Sequence, residues 1–574
     1  MKHASLTAQT PQELNPDESI SDRISAAPLS DPLYYLRNLH AVFNWVLEHH
    51  TDLLTKAEQR LLAAAMTPPA PAQALLARMI MRKGELFRSD KLIYVEVPEL
   101  DSALADLQGI DWVDTEPALG LNQVASLCRR QELVALLQQQ GRSTSPSQRK
   151  DQLAAQLEGC APRQGEGPLQ AWWPKAPFRA IRLQHSELIE RVQLMFFGNL
   201  SQQWSEFVLT ELGHQHYESV PFTPESRAFD HRRDIDTYLA IHRCRQRLDE
   251  GDAPSVVYDF VPQADDNPWL EQRRQRLLFN LAHSAERQGD IPFAITRYRE
   301  NPLPDAQVRY CRLAEKHLDS AALINHINST LSHIHQALPQ LHLGRVRCRL
   351  ARKLKLDIEP QSKTEVPQLL LSIPYRDDER VELATLRHLS NEEHLCGFYS
   401  ENTLFTGLLA LLIWPALYAP LPGAFFHPFQ AGPADLFRPD FVERRQSMID
   451  ELLGTLESGE YRDRIRRCWQ QKFGLSCPLV FWPALPEELL DLALALIPSQ
   501  HLGAIFRHLL NDLRQHRSGM PDLILFDTQA GNYRLIEVKG PGDRLQDNQR
   551  LTIETLLEAG IPVQLANVDR LATP

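Results

Sequence analysis

Apolar residues recur along most of this chain at the three-and-four spacing of helices that bury one face. In YYLRNLHAVFNWVLEHH (34–50), Leu36, Leu39, Phe43, Val46 and Leu47 fall on one stripe. TPPAPAQ (67–73) breaks the pattern, and ALLARMIMRKGELFRSDKLIYVEV (74–97) reads as a helix followed by a strand. Residues 121–158 give two short helices around an extended turn: Leu133, Leu136 and Leu137, a stop at Gly141, then Leu153 and Leu157. A long helical region spans about 184–357. Between Glu401 and Asp435 there is no acid, lysine or arginine. LFTGLLALLIWPALYAPL (404–421) is nearly long enough to span a bilayer, but Pro415 and Pro420 interrupt it, which predicts a buried core helix. Near the C-terminus the period shortens. DLILFD (522–527) and YRLIEVKG (533–540) read as strands joined by the turn TQAGN. RLQDNQRLTIETLLEAG (544–560) reads as a helix stopped by Gly560, and IPVQLANV (561–568) as a third strand.

Composition adds limits. The chain has 574 residues, 43% apolar and 23% charged, which fits a globular protein of several domains. Net charge is 61 minus 73, or −12, which excludes a uniformly basic coat protein for nucleic acid. The eight cysteines are scattered with no CxxC, against a zinc ribbon or disulfide framework and in keeping with a reducing compartment. The first 30 residues are polar, without the apolar run of a secretory signal, and read as a mobile lead-in. The pattern divides the rest into an N-terminal helical domain (31–118), a helical-hairpin domain (119–160), a helical region (161–385) and a C-terminal domain (386–574). The paired histidines (His49 and His50, His214 and His216, His333 and His335) lack accompanying ligands at metal spacing.

Basic groups are local. Arg78, Arg82 and Lys83, at one-turn spacing, form either a phosphate-facing stripe or a solvated helix face, and Arg88 follows them. Arg149 and Lys150 open the second helix of the hairpin, where a helix N-terminus and two cations make a phosphate site. GRVRCRLARKLKLD (344–357) carries six cations and one terminal acid, a nucleic-acid face or a helix balanced by neighbouring acids.

The hairpin register brings the chemistry together. With the turn centred between Gln529 and Ala530, Asp522 lies opposite Glu537. Centred on Ala530-Gly531, it is the diagonal neighbour. Either way both carboxylates project from one face, and Lys539, two residues on, shares it. Two adjacent carboxylates repel, and one would take up a proton unless a cation intervened. Hard oxygen ligands suit Mg2+ or Mn2+, with the lysine orienting water or offsetting charge in a phosphoryl transition state. A buried ion-pair network is the competing reading, and it is costly amid DLILF and LIEV. A third oxygen ligand is wanted, and Glu401, the acid at the mouth of the uncharged helix, is the candidate.

Pro521-Asp522 with Glu537-Val538-Lys539 is similar to the PD-(D/E)xK nuclease signature. GMPDLILFD and RLIEVKGPGDRLQDNQ closely resemble its VRR-NUC branch, including Gln549 as the helix glutamine. The 121–158 hairpin resembles the SAP motif, although Arg142 stands where an apolar residue is usual. LAHSAERQGDIPFAITRYRE resembles a degenerate tetratricopeptide unit. This order resembles the Fanconi-anaemia-associated nuclease family, and PAPAQALLARMIMRKGELFRSDKLIYVEV (69–97) and FRPDFVERRQSMID (437–450) extend the similarity.

The resemblance implies an α+β protein: a mostly helical multi-domain body with a SAP-like hairpin, tetratricopeptide-like helices and a C-terminal PD-(D/E)xK mixed-sheet nuclease core. It implies a 5′-flap endonuclease and 5′-to-3′ exonuclease on branched double-stranded DNA, acting in interstrand-crosslink repair with Mg2+ or Mn2+. By the same resemblance Glu401, Asp522, Glu537 and Lys539 are catalytic, and Glu401, Asp522, Glu537 and the Val538 carbonyl hold metal. Two positions depart from the family. Ser400-Glu401-Asn402 replaces a Gly-rich context, and Asn548 stands where some relatives have a phosphate-binding lysine, leaving Arg514 and Arg517 for that task. The family's ubiquitin-binding zinc finger has no counterpart, which favours a bacterial-type, cytoplasmic and nucleoid-associated protein over a nuclear one. A monomer that pairs at most on DNA is expected, with no membrane partner. A Holliday-junction resolvase and a non-catalytic DNA-binding scaffold are the rival readings.

Overall fold

The computed structural model describes residues 33–571 apart from 146, 161–164, 203, 205–215, 264–266, 358–363, 377, 393 and 394. The lead-in (1–30) and His214 fall outside the described residues. The chain forms two compact units. One comprises 1–215, 219–224 and 426–429, the other 216–218, 225–425 and 430–574.

In the first unit, helices Tyr34–His49, Lys56–Ala65, Ala70–Ile80 and Leu100–Gly109 accompany a small antiparallel sheet. Its strands are β1 (Leu86–Arg88), β2 (Val113–Asp114) and β3 (Ala180–Leu183), in the order β1-β3-β2. The stripe read from the sequence is buried at Leu36, Leu39, Phe43 and Val46. Arg82 and Lys83 lie beyond the helix that ends at Ile80, so the three cations do not share one helical face. The hairpin consists of helices Leu121–Leu127, Arg130–Gln139 and Lys150–Gln156. Leu133, Leu136, Leu137, Leu153 and Leu157 are all fully buried in one cluster with Trp172. Arg142 donates to the Gly159 carbonyl at 2.8 Å, tying the hairpin's turn to its end.

The second unit starts with stacked helices, among them Pro268–Gln288, Ile291–Glu300, Pro304–His317, Ser320–Leu331 and Ala337–Leu354. The paired-helix texture holds. Gly289 closes the first of these in the left-handed region (φ +89°), Asp290 caps the second, and Ala282, Ala285 and Ala294 let the pair approach closely. A five-stranded mixed sheet follows, with β4 (Gln368–Pro374), β5 (Cys396–Tyr399), β6 (Leu523–Asp527), β7 (Asn532–Lys539) and β8 (Val563–Leu571). Their order is β4-β8-β7-β6-β5. The hairpin β6–β7 is antiparallel, and the helix Asp547–Glu558 crosses to β8, which lies parallel to β7.

Strands β3 and β4 flank the stretch of about 184–357 that sequence periodicity reads as helical, inside the larger region 161–385, and β5 is a further strand that periodicity does not reveal. β4 (QLLLSIP) alternates exposed and partly buried positions although its sequence shows an unbroken apolar run. β5 (CGFY) is four half-buried residues. Neither carries the two-residue alternation that reveals a strand.

The uncharged segment is buried almost throughout and splits into Leu404–Leu412 and Trp414–Leu417. Pro415 forces the break by removing an amide donor. Among the described residues no single helix is long and apolar enough to cross a membrane.

Candidate active site

Pairs Leu523–Ile536 through Asp527–Asn532 fix the hairpin register. That register centres the turn between Gln529 and Ala530, the first of the two options, and sets Asp522 opposite Glu537. One sheet face carries Leu523, Leu525, Ile536 and Val538 into a cluster with Ala384 and Leu389 of the helix Val381–Glu392. Alternation therefore sends Asp522, Glu537 and Lys539 to the other face.

Both carboxylates are withdrawn from water: Glu537 is 0% and Asp522 7% exposed. Asp522 Oδ2 accepts the Val538 amide at 2.8 Å. Glu537 Oε1 accepts from Lys539 Nζ at 2.7 Å and from Gln549 Nε2 at 2.8 Å. Lys539 also donates to Gln549 Oε1 at 3.2 Å, closing a triangle. Gln549 lies in the first turn of the helix Asp547–Glu558. Burial pushes both acids well above the ordinary carboxylate range, with repulsion from Glu401 and Glu382 added at Asp522 and from Asp522 and Glu401 added at Glu537. The Val538 amide pulls Asp522 back in part, and Lys539 does so for Glu537.

The second oxygen of Glu537 is buried and has no hydrogen-bond partner. A buried, unpartnered carboxylate oxygen is costly, and a divalent cation is the partner that relieves both it and the repulsion. The donors are hard oxygens, which fits Mg2+ or Mn2+. Among the described residues no three His, Cys, Asp or Glu side chains are arranged to hold a metal as they stand. Glu401 is held by other partners. Its Oε2 accepts the Tyr399 hydroxyl, and its Oε1 accepts Asn402 Nδ2 at 3.0 Å. It lies near enough to Asp522 and Glu537 to raise both by repulsion.

Glu401 is not on the first turn of the uncharged helix. It sits in the turn between β5 and Leu404, where the Ser400 and Glu401 amides donate to the Asp522 carbonyl at 2.9 and 3.2 Å. The segment leading into Asp522 is equally constrained. Gly519 has φ +99°, and a Cβ there would stand 3.2 Å from the Asn548 side chain and 3.4 Å from the backbone at Asn548 and Gln549.

Sequence reasoning missed Asn402, Tyr399 and Arg380. Asn402 occupies the left-handed region (φ +55°), and its Oδ1 accepts the Gly519 and Met520 amides. Arg380 donates to the Tyr399 hydroxyl at 2.8 Å. An asparagine directly after a candidate ligand was the one available signal, because asparagine tolerates φ > 0.

The basic candidates divide. Arg78 is committed to Glu96 at 2.8 Å and lies over the Tyr35 ring. Arg88 is gripped by Glu132 and Asp90 and lies 3.7 Å from the Phe178 ring centroid. These two act as internal cross-links. Arg82 donates to the Lys91 carbonyl, whereas Lys83, Arg149 and Lys150 are exposed. Arg517 lies over Phe437, and Arg514 lines a cavity of about 620 Å3 with Arg273, Arg309, Arg312 and His342. In the 344–357 run, Arg345 pairs with Asp547 and Arg349 with Glu315, so neighbouring acids offset part of it.

Comparison with known proteins adds three family matches: a FAN1 HTH domain over 33–114, a Fanconi anemia-associated nuclease SAP domain over 118–179 and a VRR-NUC domain over 456–570. A Fanconi-associated nuclease 1 homolog of Pseudomonas aeruginosa is 40% identical over 553 residues, covering 95% of this chain and 97% of the relative. One from Oryza sativa is 23% identical, covering 93% and 62%. A crystal structure of paFAN1 bound to 2nt 5′flap DNA with gap is similar with a TM-score of 0.84 at 39% identity, covering 96% of this chain and 100% of that one. The 1nt 5′flap complex gives 0.82 at 39%, covering 95% and 100%.

Proposed function

Because the chain belongs to the Fanconi-associated nuclease family, as a structure-selective DNA nuclease of repair, we propose that Asp522, Glu537, Glu401 and Lys539 form its hydrolytic centre. The family's chemistry depends on a divalent metal. The observation that carries the site assignment is the buried, opposed Asp522–Glu537 pair with one carboxylate oxygen left unpartnered.

Asp522, Glu537, the Val538 carbonyl and Glu401 would hold Mg2+ or Mn2+. When bound, such an ion makes water a nucleophile at neutral pH and offsets charge on the transferring phosphoryl group. Lys539, held by Glu537 and Gln549, orients the attacking water and adds positive charge beside the phosphate. Glu401 must leave the Tyr399 hydroxyl to join the pair.

The preferred substrate on this reading is double-stranded DNA with a 5′ flap, cut near the junction and then trimmed 5′ to 3′, including at interstrand crosslinks. The DNA-bound relatives, crystallised with 5′-flap DNA, support it. Lys83 and Lys150 are exposed cations placed to contact phosphates, and Arg149 is exposed beside Asp151, 3.9 Å away. The cavity around Arg514 suits a terminal phosphate, because its wall gathers guanidinium groups. The protein works where chromosomal DNA is, as a monomer that pairs at most on DNA.

The test uses end-labelled duplex, single-stranded, 5′-flap, 3′-flap and four-way-junction DNA with Mn2+ or EDTA. Mn2+-dependent cutting near the 5′-flap junction is expected. Cleavage confined to four-way junctions would replace this reading with a resolvase, and binding without cleavage would replace it with a scaffold.

A further inference from the structure

We propose that Asn402 is a positioning residue for the metal site, setting the spacing between the Glu401 and Asp522 carboxylates through a side chain bound to both of their segments. The inference rests on the reading of Glu401 and Asp522 as metal ligands.

The side-chain amide of Asn402 bonds at both of its ends. Its oxygen accepts two successive amides, Gly519 at 3.0 Å and Met520 at 3.3 Å, from the segment that ends in Asp522. Its nitrogen donates to Glu401 Oε1 at 3.0 Å. The two segments are 117 residues apart in sequence at this contact. They also meet through the Ser400 and Glu401 amides on the Asp522 carbonyl. That backbone contact fixes the height of the turn. The direction of the Glu401 carboxylate is fixed by Asn402 on one oxygen and by Tyr399 on the other. The two holds differ in kind. Tyr399 is itself backed by Arg380 and occupies the oxygen that Glu401 needs for a metal. Asn402 holds the other oxygen, so Glu401 can release Tyr399 and turn toward Asp522 while still anchored.

The backbone points the same way. Asn402 has φ +55°, a conformation costly for most side chains and tolerated by asparagine because its amide bonds locally. Glycine would supply that φ with less strain, but it would supply none of the three hydrogen bonds. An asparagine is what the position requires if the amide contacts matter and the turn alone does not. Partners behind metal ligands orient them, and their loss weakens metal affinity by about ten- to a hundredfold.

The experiment measures Mn2+ binding to metal-stripped, full-length protein by calorimetry without DNA, together with the Mn2+ dependence of 5′-flap cleavage and the Tm of the metal-free protein. Asn402→Gly keeps the φ and removes all three hydrogen bonds. It should hold Tm near that of the parent, weaken Mn2+ binding by about ten- to a hundredfold, and cleave within a few-fold of the parent rate once Mn2+ is saturating. Asn402→Ala should weaken Mn2+ binding similarly and lower Tm further, because it adds backbone strain. Glu401→Gln tests the underlying reading and should also weaken Mn2+ binding. Parental Mn2+ affinity in Asn402→Gly with a weakened Glu401→Gln would overturn the inference and leave the site assignment standing. Parental affinity in Glu401→Gln would overturn the site assignment, and this inference with it.

Discussion

The second carboxylate oxygen of Glu537 is the most telling atom in the molecule, because it is buried and lacks the partner that buried oxygens almost always find. Its carbon skeleton sits in an apolar strand, and its neighbour across the hairpin is another acid. Without metal, both groups hold protons to higher pH than they would in an unfolded chain. The folded state therefore binds more protons, and this pair's contribution to stability is complete at low pH and lost as pH rises through the folded values. Glu537→Gln removes one charge from the pair. We predict that the metal-free variant melts a few degrees higher than the parent at pH 8, because Asp522 then loses its charged neighbour, and that the gap closes near pH 4. Thermal melts in EDTA at both pH values check this. The same change should cost cleavage about 10³-fold, since a divalent ion supplies several kcal/mol of charge stabilisation.

At the scale of elements, the site is an edge-to-edge meeting of one hairpin, one helix start and one strand-to-helix turn. Gly519 lies where the lead into β6 touches the helix that carries Gln549. Gly519→Ala combines a disfavoured left-handed φ with a Cβ against that helix, so it should destabilise by about 1–3 kcal/mol. It should also reduce cleavage, measurable by denaturant unfolding beside a flap assay. The hairpin and its helix were legible in the sequence because turn residues, alternation and a C-terminal glycine all agreed. The register then placed Asp522, Glu537 and Lys539 together without any coordinates. Glu401 was legible only as a lone acid beside an uncharged segment, and its turn was not, because β5 is too short to alternate. Tyr399 and Arg380 were hidden, and Asn402 nearly so, for a different reason: their roles are specific side-chain hydrogen bonds, from Tyr399 to Glu401 two residues on and from Asn402 to Gly519 117 residues on, which local periodicity does not encode. The pairing of Arg78 with Glu96 and of Arg88 with Glu132 was equally hidden, since a sequence does not show which acid meets which cation.

Across the whole chain, net charge is −12, yet DNA binding must come from cations left exposed after internal pairing. Lys83 and Lys150 are such cations, and Arg149 stays largely exposed beside Asp151. Alanine at any one of them should weaken flap binding and lower the slope of log K against log salt by about 1, measured by fluorescence anisotropy across a salt series. Acid sensitivity follows from two buried histidines, one in each unit. His427, stacked on Phe196, and His508, stacked on His516, are each pushed down by burial to about 3. For a base with a depressed folded value, stability is intact above the unfolded value near 6.5 and is lost as pH falls below it. Unfolding midpoints in urea should therefore drop steadily from pH 6.5 to pH 4, and His427→Phe should flatten part of that fall.

The most direct test of the central claim is single-turnover cleavage of a 5′-flap substrate by full-length protein at saturating Mn2+, comparing the parent with Asp522→Asn. The account predicts a loss of about 10³-fold or more, with unchanged circular dichroism and flap affinity. Parental cleavage by Asp522→Asn would contradict it, because the opposed carboxylate pair would then have no part in the chemistry.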